Sequence, residues 1–312
     1  MKIGVLLFLI GAACLSPAFS QDKPYPHFFS GAGTFFTVGS ANEYVYTGST
    51  GPGLTSQLTW PIPLSWGAWT SFGVRVGPHW EFDFRFEGSQ ALLDGNMTDQ
   101  DWNIYDSDGN AITHQQSTST SYLDSNWEFR AETAFPFPLY DLEARPLVGA
   151  FYHQYYWEAW GGTLNVSYAS GATGSGTWYG TSATYRQEWF VPYVGFELKK
   201  DMTTWSWGGA LRISPYLFAN NTDEHVLRGL TFNDSVSGGF MIEPSLNNEW
   251  VLLPNVSLQA DVSYRLILGP RGAETVSSDG SSTNTDLFTS YTGSAGADVQ
   301  TFTASLGLKV AF

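Results

Sequence analysis

The sequence predicts an all-β fold, a ten-stranded antiparallel transmembrane β-barrel of the outer-membrane kind. Three observations point there. Only 14% of the 312 residues are charged while 16% are aromatic and 33 are glycine, a composition unlike that of ordinary soluble domains. After the first twenty residues no apolar run approaches the ~20 residues that a membrane helix needs. Alternation with period two recurs instead, and an apolar face opposite a polar one is what a strand between lipid and a polar lumen requires.

The first twenty residues are set apart. Lys2 is followed by an apolar run from Ile3 to Ala13 and by the small-residue frame Ala18-Phe19-Ser20 before Gln21, which reads as a secretory signal over 1–20 and a single barrel domain over 21–312. A competing lipoprotein reading at Cys14, after Gly11-Ala12-Ala13, lacks the Leu expected at Gly11. Cleavage after Ser20 removes the single cysteine, so neither disulfides nor cysteine metal ligands are expected. It leaves 13 basic against 29 acidic side chains, a net charge of −16. That balance argues against a nucleic-acid partner and favours cationic ligands at the lumen and rim.

With turn residues as punctuation, the strands run near 29–47, 55–77, 79–102, 118–136, 142–164, 182–199, 203–225, 238–253, 255–270 and 298–312. The last has Phe302, Ala304, Leu306, Leu308, Val310 and Phe312 on one face and Thr301, Thr303, Ser305 and Lys309 on the other. Its terminal Phe resembles the ending of outer-membrane barrels. Val256 to Leu266 alternates in the same way, as do Trp80 to Glu87 and Trp127 to Glu132. Short turns such as 77–79 and 199–202 alternate with long polar links at 103–117, 165–181 and 271–297, so the short turns are expected on the periplasmic side and the long loops outside. Strands longer than the ~9–11 residues that cross a bilayer should stand above the outer leaflet. Trp60, Trp66, Trp69, Trp205 and Trp207 suit interfacial girdles.

Five histidines are candidates for chemistry. His27 and His79 read as surface residues, His114 lies in a loop, and His153 sits among aromatics where packing explains it. His225 closes Asp223-Glu224-His225, and residues two apart in a strand share a face, so Asp223 can orient the imidazole while His225 takes a proton from water. Asp99 and Asp101 likewise share a face. Paired carboxylates raise one another's pKa and can share a proton or polarise water, although an acidic loop edge or a calcium pair would look the same.

Five stretches, in order along the chain, resemble the omptins, a family of ten-stranded outer-membrane endopeptidases. They are Gly39 to Tyr46, Ser56 to Trp60, Gly95 to Trp102, Pro192 to Gly195 and Thr222 to His225. The resemblance implies that water held between Asp99/Asp101 and Asp223/His225 attacks a peptide carbonyl, with His225 as general base and no metal or acyl-enzyme. It also implies an acidic pocket for the basic side chain before the cut, with Glu43 as one carboxylate. The second acidic position falls on Asn221, which weakens the expectation of strict basic selection because a neutral amide cannot pair with Arg or Lys. The family's lipopolysaccharide activator is held by basic residues on the outer wall, where this sequence has Gln154 and Glu188. Either another lipid contact is used or the activator is dispensable.

One conflict of register stands out. Trp205, Trp207, Leu211 and Ile213 put odd positions outward on the seventh strand, so Asp223 and His225 face inward only if a one-residue bulge intervenes, at Pro215 or at Asn220-Asn221. Three other functions compete: a non-catalytic barrel serving as adhesin or structural protein, a passive pore, and a lipid hydrolase. Ten strands are few for an open pore. Ser214, the serine considered for a lipid hydrolase, has no convincing partner.

Overall fold

The computed structural model describes residues 25–46, 53–106, 108–278 and 290–312; the expected signal segment 1–20 lies outside them. In chain order the strands are β1 (His27–Tyr46), β2 (Leu54–Val76), β3 (Trp80–Ala91), β4 (Gly95–Tyr105), β5 (Ala111–Ala134), β6 (Phe137–Leu139), β7 (Leu142–Tyr168) and β8 (Thr173–Asp201). They continue with β9 (Trp205–Ser214), β10 (Leu217–His225), β11 (Leu230–Gly238), β12 (Phe240–Leu253), β13 (Val256–Leu268), β14 (Gly272–Ser278) and β15 (Ser290–Ala311). All pairings are antiparallel, and β15 pairs with β1 to close the sheet on itself. Since β3 with β4, β9 with β10, β12 with β11 and β13 with β14 stack end to end between shared neighbours, the segments form ten staves, with the short β6 as a spur on β7. This is the ten-stranded barrel that the sequence predicts.

Alternation explains which face is which. Phe36, Phe84, Phe86, Phe129, Phe190, Phe218 and Phe302 are each more than two-fifths exposed on the outside, while Thr37, Glu128, Thr301 and Ser305 between them are buried in the lumen. The apolar exterior ends upward at Val38, Phe190, Phe218 and Phe302. Beyond those positions the outward residues become Ser40 and Asn42, Glu188 and Arg186, Asn220 and Thr222, Gln300 and Asp298. An apolar belt therefore girds the lower barrel, and a wet upper barrel rises above it. With 27 residues in β7 and 29 in β8, those staves are far longer than the ~9–11 residues that a bilayer occupies.

The structure corrects the sequence reading of the links and of the tryptophan girdle. The links 103–117 and 165–181 are mostly strand, and the described ends of 271–297 belong to β14 and β15. Above the belt both faces of a strand are wet, so the alternation that marks a strand in sequence disappears there. In the girdle, Trp66 and Trp207 face outward, but Trp60 and Trp69 are 0% and 3% exposed and point into the barrel. Trp69 lies an odd number of residues from Trp66 and so takes the opposite face. Trp60 is turned inward by a bulge in β2 between Ser65 and Ile62, where Ser65 Oγ donates to Pro63 O at 2.7 Å.

The lumen is crossed by ion pairs and rings, which leave cavities of about 200 Å³ between them. At mid-height Arg130 grips Glu243 bidentately at 2.7 and 2.9 Å, Arg265 bridges Glu243 at 2.6 Å and Glu128 at 2.5 Å, and Arg212 holds Glu132 at 2.6 and 3.1 Å. His153, expected to be a packing residue, belongs to this network through Glu128 at 2.8 Å and Asn126 at 2.5 Å. Above it rises a column of stacked rings, His153, Tyr155, Trp157, Tyr185 and Trp60, with centroids 4.1 to 5.7 Å apart. The mouth of the barrel lies on top of that column.

Candidate active site

Around the mouth β4 stands opposite β10, four staves away in the ring of ten. On β4, Asp99 and Asp101 face inward on the same parity as Glu81, Asp83 and Arg85 below them. Both lie beside β2, Asp101 directly across from Ser56 and Asp99 across from Leu58. The Ser56 hydroxyl donates to Asp99 Oδ1 at 3.3 Å, and Gln115 Nε2 donates to Asp101 Oδ2 at 2.9 Å. Burial and the neighbouring Asp101 charge push Asp99 up to about 7, with the charge of His225 opposing them. Burial also raises Asp101, against the hydrogen bonds from Ser56 and Gln115. Like charges on adjacent buried carboxyls disfavour double ionisation, so such a pair is suited to keeping a proton on one member.

The stave carrying Asp223 and His225 changes parity on its way up. In β9 the buried positions are even, Ser206, Gly208, Ala210 and Ser214; in β10 they are odd, Leu217, Ala219, Asn221 and Asp223. The chain breaks at Pro215-Tyr216, and β8 pairs Val194 with Ile213 below the break and Phe190 with Phe218 above it, one residue more on the β9–β10 side. Pro215 has no N–H to give a ladder, and Ser214 fills the gap by donating to Tyr216 O at 2.6 Å. The bulge required by the sequence is therefore at Pro215, and it turns Asp223 and His225 into the mouth.

There His225 Nε2 lies 2.6 Å from Asp223 Oδ2, and Asp223 is 2% exposed. Burial lowers the pKa of His225, but the charge and hydrogen bond of Asp223 together outweigh it and the net shift is upward. The ring packs against Phe232 with centroids 5.0 Å apart. Arg228, in the turn after β10, brings Nη1 to 3.1 Å from His225 Nδ1. A guanidinium only donates, so in this arrangement Nδ1 accepts and Nε2 carries the proton shared with Asp223. Arg228 is exposed, with its guanidinium 5.9 Å from the centroid of the Phe232 ring on β11.

Glu43, from β1, completes the group: it is 2% exposed, and burial followed by the charges of Asp223, Asp234, Glu274 and Asp99 pushes its pKa well up. Asn221 is inward and 2% exposed. The structure thus gathers all six sequence-derived residues, Glu43, Asp99, Asp101, Asn221, Asp223 and His225, at one end of the lumen. Sequence reasoning missed Asp234, Glu274 and Arg228. A hairpin turning at 226–229 would have set Asp234 opposite Asn221, as the structure does, but the polar stretch 230–238 carries no apolar alternation to suggest a strand. His27, His79 and His114 lie outside the group; His114 pairs across strands with Trp102, ring centroids 5.9 Å apart.

The sequence profile of the omptin family matches residues 30–312. The chain belongs to the omptin family. This omptin is 26% identical over 313 residues to the plasminogen activator of Yersinia pestis, covering 96% of the chain and 92% of that relative. It is 24% identical over 288 residues to the outer membrane protease OmpP of Escherichia coli strain K12, covering 88% of the chain and 87% of the relative. Its fold superposes on the crystal structure of the outer membrane protease OmpT from Escherichia coli with a TM-score of 0.81 at 18% identity, covering 94% of this chain and all of that one. On the outer wall of this omptin Gln154 and Glu188 are cross-strand neighbours just above the belt, and the Tyr152 phenol donates to Glu188.

Proposed function

We propose that this omptin is an outer-membrane endopeptidase in which Asp223 and His225 activate water against a peptide bond and Asp99 and Asp101 receive the developing charge. The observation that carries this reading is the 2.6 Å contact of His225 with Asp223, facing a carboxyl pair whose Asp99 member is pushed by burial and Asp101 to about 7. Water positioned across the mouth loses a proton to neutral His225 as its oxygen attacks the carbonyl carbon. Asp223 stabilises the imidazolium that forms. The proton held between Asp99 and Asp101 hydrogen-bonds to the carbonyl oxygen as that oxygen gains charge. His225 then delivers its proton to the leaving amine, and the base is restored. Arg228 must leave Nδ1 before that nitrogen can accept a proton, and its exposed position allows the swing. The scheme calls for no metal and no acyl-enzyme.

A peptide or protein is the substrate, and the acidic mouth favours a cationic one. With Gln154 and Glu188 on the outer wall, dependence on lipopolysaccharide is expected to be weak. The test is cleavage of a quenched peptide library by refolded protein in detergent, with and without lipopolysaccharide, beside Asp223→Ala and His225→Ala. Cleavage lost in both variants supports the scheme; no cleavage by folded wild type under either lipid condition leaves a non-catalytic barrel.

A further inference from the structure

Strand β8 overshoots its neighbour. The ladder between β10 and β8 ends where Glu224 meets Thr184, and β10 then turns through 226–229 into β11, but β8 already begins at Thr173. Residues 173–183 pair with β7 on one side, and among the described residues no strand pairs with them on the other. This open edge rises directly above the end of β10, the strand that carries Asp223 and His225. It stands above the apolar belt, which ends on β8 at Phe190, so the edge meets water rather than lipid.

At the turn between β7 and β8, Tyr168 N donates to Ala172 O. By the alternation of an antiparallel ladder, Thr173, Ser175 and Thr177 then turn their N–H and C=O groups away from β7, toward the open side. Exposed edges are ordinarily guarded by charge or proline, yet from Thr173 to Tyr185 there is no Asp, Glu, Lys, Arg or Pro. On the face toward the lumen the edge has Gly174 and Gly176, opposite Val166 and Leu164 of β7, and nothing lies within 4 Å of where a Cβ on Gly176 would be. Trp178 follows on that face, packed against Gly162, with its indole N–H buried and unpartnered.

We infer that an extended substrate adds to this edge as a further strand, the chain beyond the scissile bond pairing antiparallel with β8. The inference rests on the peptidase reading above. Its direction follows from the wall: β10 runs antiparallel to β8, so a chain that passes Asp223 and His225 in the direction of β10 continues antiparallel along the open edge. From Thr184 to Ser175 the edge climbs past seven residues of β7, Glu158 to Asn165, or about 20 Å at ~3.3 Å per residue. Main-chain pairing of this kind gives affinity with little demand on sequence. Alternate side chains of the added strand fall over Gly174 and Gly176, where the open space takes a large one, packed against Leu164, Val166 and the indole of Trp178.

The experiment uses quenched peptides that share one cut site and carry tails of about three or about ten residues after it, on either side of the span above. The long tail should raise kcat/KM of the wild type about tenfold. Ser175→Pro removes an N–H that faces the open side and no bond to β7, a place where a strand accepts proline; it should abolish most of that gain. N-methylation along the long tail should cost wild-type kcat/KM about five- to tenfold at every second residue beside the edge and little between; should Ser175→Pro not fold, this scan decides alone. Anisotropy of a labelled long-tail peptide on His225→Ala, where cleavage plays no part, should show binding about tenfold weaker when Ser175→Pro is added. Equal rates for the two tails, a gain untouched by Ser175→Pro, or a flat methylation scan overturns the inference. A wild-type dimer that Ser175→Pro splits overturns it too, since the edge then serves a second copy. If folded wild type cuts nothing, the peptidase reading falls, and peptide binding indifferent to Ser175→Pro removes the edge with it.

Discussion

Two regions of the same lumen carry the same kinds of side chain and use them in opposite ways. At mid-barrel, three arginines meet three glutamates: Arg130, Arg212 and Arg265 with Glu128, Glu132 and Glu243, every one engaged in ion pairs. At the mouth, Glu43, Asp99, Asp101, Asp234 and Glu274 crowd together with His225, and Arg228 contacts His225 rather than pairing with a carboxylate. The lower network neutralises itself and closes the barrel. The upper one leaves charge unmatched where a substrate can supply the match. Burial alone does not mark a functional carboxylate, since Glu243 and Asp223 are each 2% exposed; whether the partner is built into the protein does.

The difference can be broken first at the mouth. Asp223→Ala and His225→Ala should each reduce kcat about a thousandfold, the usual scale for a lost general base, while the heat-dependent shift in gel mobility that reports a folded barrel persists. Glu243→Gln attacks the other region. It strands Arg130 and Arg265, so denaturation in guanidinium should show a loss of about 3–5 kcal/mol, with kcat/KM of the folded fraction changed less than about threefold. A large activity loss at Glu243 without a stability loss would erase the distinction.

Two further tests sharpen it. Removing the Ser56 hydroxyl, which donates to Asp99, should cost several-fold in kcat by loosening the carboxyl pair; Ser56→Ala at wild-type rate would show that the pair is held otherwise. The smallest effect is on pH. His225 works as a base only when neutral, and although burial lowers its pKa, Asp223 raises it further than burial lowers it. The acid limb of kcat/KM should therefore lie above the ordinary histidine value of about 6.5, as a macroscopic limb shared with Asp99. The charge of Arg228 pulls His225 down, so Arg228→Gln should move that limb to still higher pH.

Much of this was legible in sequence wherever lipid faces the chain. The closing strand from Thr301 to Phe312 and the run Trp80 to Glu87 read directly as alternation, because one face must be apolar. The conflict between Trp207 and Asp223 could be detected by counting parity, and Pro215 resolves it. Legibility failed above the belt. Asp234 and Glu274 sit on strands wet on both faces, with no pattern to mark them, and the inward turn of Trp60 depends on a bulge at Pro63-Leu64 that no conflict of parity exposed. Where solvent stops constraining the outward face, the sequence says which residues are chemical but not which ones meet.

The ring column from His153 to Trp60 also bears on the cell that carries this barrel. Indole and phenol rings stacked 5.3 to 5.7 Å apart in its upper part, over an interlocked ionic layer, stand in the way of hydrated ions. In a planar bilayer the folded protein should show no unitary conductance. A proteolytic mouth mounted on such a stopper can be displayed in many copies without adding to the leak of the membrane, and the fragments it makes depart on the side from which their parent arrived.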